Sequence, residues 1–445
     1  MSAAWLLSRQ HDVTLLEKEP RVGGHSNTVD VDEAHGPVPI DTGFIVYNTA
    51  CYPNLIALFD YLDVPTAPTD MSFSVSLDGG RYEYNGNGLD GFFAQRRNLL
   101  SPTHWRMAGE IGRFFREAAE LHGQAADLTL TLDDWLGERR YSRSFIERHI
   151  VPMGAAIWSV PAAEMLKFPA QSFARFFANH GLLQMQNRPQ WRTVKGGIRE
   201  YVSRLMAEFE GESINGDGVV SITRSHGDGP VQVQTRSGAQ RSFDRCLIAC
   251  HADDALGLLK DASAHERRLL GAFQYADNDT VLHTDPTLMP RRRRVWTSWN
   301  YLGASAEMAS SSASVTYWMN KLQPLATSKD YFVSLNPRRP ISADQVLARF
   351  SYQHPLFDAG ALQAQTQLWS LQGERNTWFA GSYFGYGFHE DALQAGLAAA
   401  EALSCASEVP AVRRPWKVAG ESNRLVLSPH APVNPLSRPL EVAEP

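Results

Sequence analysis

The sequence predicts an α/β fold in which a Rossmann-like dinucleotide-binding unit is assembled from separated pieces of chain. Three short apolar segments, each adjoining a helical segment, read as its parallel strands: 12–17, 245–251 and 377–381. The first ends in Glu17 and the last in Gly381. An acidic residue or a glycine at the carboxyl end of a parallel strand is typical of the edge where a dinucleotide binds.

The length of 445 residues exceeds what a single core usually supports, so we expect more than one module. Segment 52–190 is mainly helical in its periodicity, and segment 272–345 is rich in aromatic strands. The predicted dinucleotide-binding part comprises residues 1–50, 191–265 and 346–405, the inserted substrate domain comprises 51–190 and 266–345, and 406–445 form an extended tail. Further predicted elements are a hairpin over 29–41, strands over 219–224 and 231–235, and a helix over 389–404.

The composition gives no support for a nucleic-acid partner, since the net charge is −6 and the pI is near 6.2. The dense basic run 291–294 is interpreted as a solvated loop rather than a contact for lipid head groups. No apolar run is long enough to span a bilayer, and the start carries no signal-peptide pattern. We therefore expect a cytoplasmic protein that makes at most peripheral contact with a membrane.

The number of cysteines and the absence of certain motifs argue against several classes of protein. Four cysteines are too few for a disulfide framework in a chain of this length, and we interpret them as thiols: Cys51, Cys246, Cys250 and Cys405. The sequence shows no HExxH motif, no paired metal ligands and no Ser-His-Asp spacing. We therefore expect neither a metal site nor hydrolytic chemistry.

The start of the chain reads as the middle of a motif. Residues 1–8 predict a helix that has no strand and no glycine-rich turn ahead of it, and we expect that turn upstream of Met1. A G-x-G-x-x-G match does occur at 86–91, but no apolar strand with an acidic end follows it. We interpret this match as a hairpin or loop turn in the inserted domain.

Glu17 is the first candidate ligand for a nucleotide. An ionised carboxylate accepts two hydrogen bonds at once, which suits the two hydroxyls of a ribose. Gly23 and Gly24 follow it, and glycines let the backbone approach a ligand closely. The alternative is a surface glutamate followed by a Gly-Gly turn.

Three further segments fit the same interpretation. Segment 41–43 ends a strand in a glycine, and Gly196 and Gly197 form a pair that opens a helix. Segment 381–396 leads from a strand into a helix whose small residues recur every fourth position. The amino end of that helix carries free N–H groups and a positive dipole, which suit the pyrimidine edge of a reduced flavin. The alternative is a helix that is merely rich in alanine and tightly packed.

In chain order, these segments resemble the FAD-binding signature of flavin amine oxidases, phytoene desaturases and protoporphyrinogen oxidases. The phrases at 152–158, 283–285 and 387–391 resemble more closely a bacterial subgroup of FAD-dependent oxidoreductases, some of which are linked to modified acyl chains. The resemblance implies FAD as the cofactor. It also implies a FAD-binding domain of the glutathione-reductase type, truncated at its first strand, with an inserted α+β substrate domain.

The resemblance also implies roles for individual residues. Glu17 would bind the adenosine ribose, Val220 would offer its backbone to adenine, and Gly381 would meet the phosphate and ribityl region. The other residues implied to bind the cofactor are Arg21, Gly23, Gly24, Asp41, Gly43, Gly196, Gly197, His389 and Glu390, the last two at the pyrimidine edge of the flavin.

The resemblance departs from amine oxidases in one chemical respect. Those enzymes usually place a lysine near flavin N5, on a strand that aligns with 279–283, where this sequence has none. Tyr386 and His389 are the catalytic candidates, with Phe388 beside them, and His389 is either a base near neutral pH or a packing residue. Aromatic density adds Tyr47, Trp299, Asn300 and Tyr317 as substrate-side candidates, although each of these is more often a core residue.

These observations predict a flavin enzyme that removes hydride from a C–H bond of a small apolar substrate and leaves a double bond. An acyl chain suits the many Phe, Trp and Met residues of the insert. Two alternatives stay open at this point: an amine oxidase, and a lipid-binding escort protein that has lost the flavin.

Overall fold

The computed structural model describes residues 1–122, 127, 129–158, 161–184, 188–225, 227, 229–304, 314–406 and 410–417. Most of the predicted tail, 418–445, lies outside the described residues. No helix in the described part of the chain has the length and apolar character needed to cross a bilayer.

The elements run in the following order. The strands are β1 (Thr14–Glu17), β2 (Thr28–Val31), β3 (Val38–Asp41), β4 (Tyr47–Asn48), β5 (Thr66–Pro68), β6 (Phe73–Leu77), β7 (Tyr82–Asn85), β8 (Trp191–Val194), β9 (Glu212–Asn215), β10 (Val219–Arg224), β11 (Val231–Thr235), β12 (Gln240–Phe243), β13 (Cys246–Ile248), β14 (Gln274–His283), β15 (Trp299–Gly303), β16 (Ser314–Trp318), β17 (Phe332–Leu335), β18 (Val346–Leu356) and β19 (Thr377–Phe379). The α-helices are α1 (Ser2–Leu7), α2 (Pro53–Tyr61), α3 (Gly88–Phe92), α4 (Pro102–His122), α5 (Leu132–Glu138), α6 (Arg143–Phe145), α7 (Val151–Trp158), α8 (Ala162–Leu166), α9 (Ala170–Asn179), α10 (Arg199–Ala207), α11 (Ala252–Leu258), α12 (Ala264–Leu270), α13 (Met319–Leu322), α14 (Ala359–Gln365) and α15 (His389–Cys405). A π-helical turn, Ile146–Ile150, joins α6 to α7.

The three predicted parallel strands are confirmed as β1, β13 and β19. They form two parallel ribbons, β1 with β9 and β13 with β19. Next to them lies the antiparallel sheet β10-β11-β12, two strands of which the sequence predicts. The hairpin of β2 and β3 is also confirmed. These elements form the dinucleotide-binding part of the mixed α/β fold.

The predicted helix at 389–404 is confirmed as α15, which begins at His389. Its small residues allow close packing, as the sequence indicates. A Cβ at Gly396 would lie 2.4 Å from the hydroxyl oxygen of Ser2 in α1. Helix α1 therefore lies directly on this face of α15.

The inserted part is organised around a seven-stranded sheet of order β18-β14-β17-β16-β15-β6-β7. Helix α4 packs against α9. Its buried side chains recur at helical spacing and join one apolar core with the sheet: Met107, Phe114, Ala118 and Leu121. β18, which the sequence analysis assigns to the dinucleotide-binding part, pairs with β14 along ten residues in this sheet. The domain boundaries themselves stay a prediction.

The G-x-G-x-x-G match, 86–91, directly follows β7 at the edge of the seven-stranded sheet, and its last four residues form most of the short helix α3. β7 pairs only with β6, antiparallel to it, and α3 has five residues. Among the described residues neither a parallel strand nor a long helix adjoins the match, so it lacks the setting of a dinucleotide-binding turn, but most of it is helical rather than the predicted hairpin or loop turn.

Candidate functional site

A cavity of about 2450 Å³ runs between the two parallel ribbons and continues to the helices of the inserted part. Ordinary small-molecule pockets occupy roughly 300–1,000 Å³. This cavity therefore has room for a dinucleotide and a second ligand. β1 and β13 both line it, and their side chains are only partly buried along much of each strand.

Several of the residues predicted to bind the cofactor line this cavity together, although they come from distant pieces of chain. They are Glu17, Arg21, Gly23, Gly24, Gly43, Gly381 and His389. Tyr386 and Phe388 line it as well. The carboxyl ends of β1, β13 and β19 all border this cavity, at Glu17, Cys250 and Gly381, although β1 lies in a different two-stranded sheet from β13 and β19.

The Gly23–Gly24 turn has a backbone that favours glycine, with φ of +115° and +55°. Arg21 holds the turn, since its guanidinium donates to the carbonyl oxygen of Gly24 at 2.8 Å. The Glu17 carboxylate accepts a hydrogen bond from the backbone N–H of Glu19 at 2.9 Å. No cation of the described residues lies within ion-pair distance of Glu17, so its charge remains available to a ligand.

Gly43 permits close packing of two backbone segments. A Cβ there would lie 2.3 Å from the carbonyl oxygen of His25, which accepts a hydrogen bond from Phe44 N–H at 2.8 Å. Gly381 follows β19, and a Cβ there would lie 2.3 Å from the ring of Tyr383. Both glycines thus line the cavity. Because they lack a side chain, the His25 carbonyl can lie close to the backbone at Gly43, and the Tyr383 ring can lie close to it at Gly381.

Asp41, Gly196 and Gly197 come together, but at a junction beside the cavity rather than in its lining. The buried Asp41 carboxylate accepts hydrogen bonds from Thr28 Oγ1 at 2.6 Å and from Ile198 N–H at 2.9 Å. Burial raises the pKa of Asp41 to about 7. The Asp41 side chain therefore ties β3 to the turn that opens α10.

Glu390 is fully buried and caps another helix. Its carboxylate accepts from the backbone N–H groups of Asn54 and Leu55, both at 2.9 Å, and from the side chain of Gln394 at 2.8 Å. These N–H groups belong to the first turn of α2, which would otherwise lack partners. The observed contacts of Glu390 are thus within the protein, and desolvation raises its pKa.

His389 lies between two aromatic residues at the middle of the cavity. Its ring stacks on Phe44 with centroids 4.0 Å apart, and its Nε2 is 2.9 Å from the hydroxyl of Tyr201. That hydroxyl also lies 2.8 Å from Ser26 Oγ. Burial lowers the pKa of His389 to about 4, so the ring is neutral near pH 7.

The substrate-side candidates divide into two groups. Trp299 and Tyr317 line the cavity, with their rings edge to face at 5.2 Å. Tyr47 and Asn300 do not line it; both are buried, and Asn300 hydrogen-bonds within the sheet to Ser74 and Thr316. The side chain of Val220 is exposed, and its neighbour Val219 lines the cavity.

Three histidines at the nucleotide end escaped the sequence analysis: His25, His251 and His354. The rings of His25 and His354 are 5.8 Å apart. Burial lowers the pKa of His25 to about 3 and that of His354 to about 4. Only their positions in the sequence could have pointed to the cavity, because His25 follows the Gly-Gly turn and His251 follows a parallel strand.

The lining fits FAD in its volume and in its polar groups. Glu17, which has no ion-pair partner among the described residues, offers its second carboxylate oxygen to a ribose. His25 Nε2 and His251 Nδ1 are buried and have no hydrogen-bond partner among the described residues. Buried polar atoms without partners are rare, so these two nitrogens are suited to meet polar atoms of a bound ligand.

Comparisons with known structures show the same fold at low identity. A variant of putrescine oxidase aligns with a TM-score of 0.63 and 14% identity, over 91% of this chain and 96% of that one. A CLA-producing fatty acid isomerase from P. acnes aligns with a TM-score of 0.60 and 14% identity, over 89% and 94%. Cyclohexylamine oxidase from Brevibacterium oxydans IH-35A aligns with a TM-score of 0.59 and 13% identity, over 90% of this chain and 95% of that one.

A comparison with curated proteins finds no match. The family model for flavin containing amine oxidoreductases matches residues 1–278, which is more than half of the chain and includes both parallel ribbons except β19. The resemblance inferred from the sequence, the cofactor FAD and the α/β fold are thereby confirmed. The chain belongs to the family of flavin containing amine oxidoreductases and is an FAD-dependent oxidoreductase.

Proposed function

We propose that this enzyme removes hydride from a C–H bond of an apolar substrate, and that the substrate is an acyl chain. The observation that carries the proposal is the lining of the cavity on the side of the inserted domain. This wall consists mainly of Met, Phe, Ile, Leu and Trp side chains: Met71, Phe73, Leu89, Phe92, Ile111, Phe115, Met153, Ile157, Trp158, Phe176, Leu182, Trp191 and Trp299.

Charge is nearly absent from this part of the lining. Among the described residues of 71–191 and 299–317 that line the cavity, none is a carboxylate, and Arg188 is the only lysine or arginine. A buried ammonium group is costly unless a counter-charge compensates it. The wall therefore favours a neutral hydrocarbon over a charged amine.

Lysine is also absent from this wall as far as the structure describes it. Lys18 is the only lysine in the described lining, and it adjoins Glu17 at the nucleotide end. The strand 279–283, where amine oxidases of this kind were expected to carry a lysine, contributes no residue to the lining. This supports chemistry other than amine oxidation.

The bound flavin supplies the hydride acceptor. The protein supplies an apolar enclosure, which orients the chain and excludes water from the reacting carbons. Tyr386 and His389 are the proposed catalytic residues, because both line the cavity where its nucleotide end meets the apolar wall. His389 is the proposed acceptor of the proton that the substrate loses together with the hydride. Its ring is neutral at pH 7, its lowered pKa of about 4 makes it a weak base, and Tyr201 fixes the orientation of the ring through Nε2.

The test is anaerobic reduction of the FAD-loaded protein. We expect acyl substrates to bleach the flavin absorbance and to yield products two hydrogens lighter by mass spectrometry. Putrescine and cyclohexylamine serve as amine comparators. Bleaching by the amines together with no response to acyl chains of any length would overturn the proposal.

A further inference from the structure

Four of the seven large hydrophobic side chains that are exposed in the described part of the chain lie in one short stretch. Leu89, Leu99, Leu100 and Trp105 are 75%, 46%, 88% and 51% exposed. We call these four residues the apolar platform. Its exposed leucines contrast with the usual burial of this residue type.

Hydrogen bonds and one ring contact link the segments that carry the platform residues. Trp105 Nε1 donates to the carbonyl oxygen of Leu99 at 2.9 Å, and the Trp105 ring lies 4.6 Å from that of Phe93. Phe93 N–H in turn donates to the carbonyl oxygen of Leu89 at 2.9 Å. These contacts join α3, the turn that carries Leu100 and the start of α4.

Arginines border the platform. Arg96, Arg97, Arg292 and Arg294 line a shallow depression of about 310 Å³, and we call them the basic rim. Arg96 pairs with Asp90, and Arg292 pairs with Glu83 at 2.8 Å. Within the described ranges no carboxylate lies at ion-pair distance from Arg97 or Arg294. The rim thus carries excess positive charge on a protein whose net charge is −6.

The large cavity reaches the protein surface beside the platform. Residues 86–89 are exposed and also line that cavity. Leu89 therefore belongs both to the platform and to the cavity lining. A ligand that lies against the platform has an apolar entrance directly in front of it.

We propose that the platform and the basic rim dock on the surface of an anionic lipid bilayer. Arg292 and Arg294 of the basic run 291–294 would then contact lipid, in place of the solvated loop that the sequence alone favours. Leucine and tryptophan side chains enter the boundary between head groups and acyl chains, and arginines contact lipid phosphates. The positive rim selects an anionic surface, and the apolar entrance then faces the acyl region. This proposal goes beyond the proposed function and is tested without turnover, so either can fail while the other holds.

The experiment is sedimentation of the FAD-saturated full chain with vesicles of phosphatidylcholine, with and without phosphatidylglycerol. We expect wild-type protein to bind the anionic vesicles and to release as salt rises, because salt screens the rim. A double variant, Leu89→Ser with Leu100→Ser, should bind about 10-fold more weakly or worse. A second double variant, Arg97→Gln with Arg294→Gln, should bind anionic vesicles about 10-fold more weakly than wild type in low salt.

Matched controls replace exposed residues elsewhere. Leu347→Ser changes another exposed leucine, on β18, and Arg241→Gln changes an exposed arginine on β12; both should bind as wild type does. Failure of the wild type to bind anionic vesicles overturns the proposal, as does equal binding by the leucine variant. Self-association of the wild type that the leucine variant abolishes, without vesicle binding, would instead make the platform a protein–protein surface.

Discussion

His389 stacks on Phe44 with the two ring planes only 8° apart, although 345 positions separate the residues in the sequence. The stack and the Tyr201 hydroxyl together enclose the ring. A buried imidazole binds a proton poorly, because the charged form loses its solvation. The environment of His389 thus keeps it neutral where an exposed histidine would begin to titrate.

This enclosure predicts the titration of His389. In an NMR titration of labelled histidines, the signal that disappears in His389→Gln should have a midpoint near pH 4. A His389 midpoint near 6.5 would contradict the burial argument.

Asp41 predicts a pH dependence of stability. Its pKa in the folded protein is about 7, above the ordinary value of 3.8 for an aspartate, so the folded state binds more protons between these values. This residue therefore lowers the free energy of unfolding as pH rises from about 4 to 7. Urea unfolding of wild type and Asp41→Asn at several pH values should show their difference changing in that window. A constant difference would contradict the prediction.

The cap formed by Glu390 predicts a loss of stability on substitution. Glu390→Gln replaces one acceptor oxygen by an NH₂ group facing N–H donors. We expect the free energy of unfolding to fall by about 1–3 kcal/mol. Glu138→Gln, at an exposed position, is the control and should change stability by less than about 0.5 kcal/mol. If the two substitutions lowered the free energy of unfolding equally, Glu390 would not stabilise the protein by capping α2.

Gly197 and Gly238 form a matched pair with the same φ of +88°. A Cβ at Gly197 would lie 2.4 Å from Thr28 Cγ2, whereas a Cβ at Gly238 meets nothing within 4 Å. Alanine at either position carries the backbone strain, but only Gly197→Ala adds a clash. We expect Gly197→Ala to be less stable than Gly238→Ala by about 1–3 kcal/mol in thermal unfolding. An equal loss of stability in the two variants would show that the backbone around Gly197 and Thr28 shifts to accommodate the added methyl group.

Glu17 predicts the affinity for FAD. Hydrogen bonds to a charged group contribute about 1.5–3 kcal/mol each, so Glu17→Ala should weaken FAD binding by about 10-fold or more. Glu19→Ala tests a neighbouring carboxylate that also lines the cavity. Fluorescence titration of FAD measures both variants. Unchanged affinity in Glu17→Ala would show that the ribose lies elsewhere.

The sequence alone determined the family, the cofactor and most of the elements that carry the site. Local patterns suffice for these: an apolar strand ending in Glu17, a glycine pair, and a helix beginning at His389. Such patterns predict β1, β13 and β19, whereas β9 is short, polar and mostly exposed, and no apolar run marks it in the sequence.

Only the tertiary structure decided which of those residues face the cavity. Asp41, Gly196, Gly197 and Glu390 belong to the family signature, yet their observed contacts are with Thr28, Ile198, Asn54 and neighbouring backbone. Tyr201 and Phe44 carry no motif, yet they enclose His389. A motif specifies chemical type and spacing along the chain, whereas the direction of a side chain and its partners depend on contacts between distant segments, which no local pattern encodes.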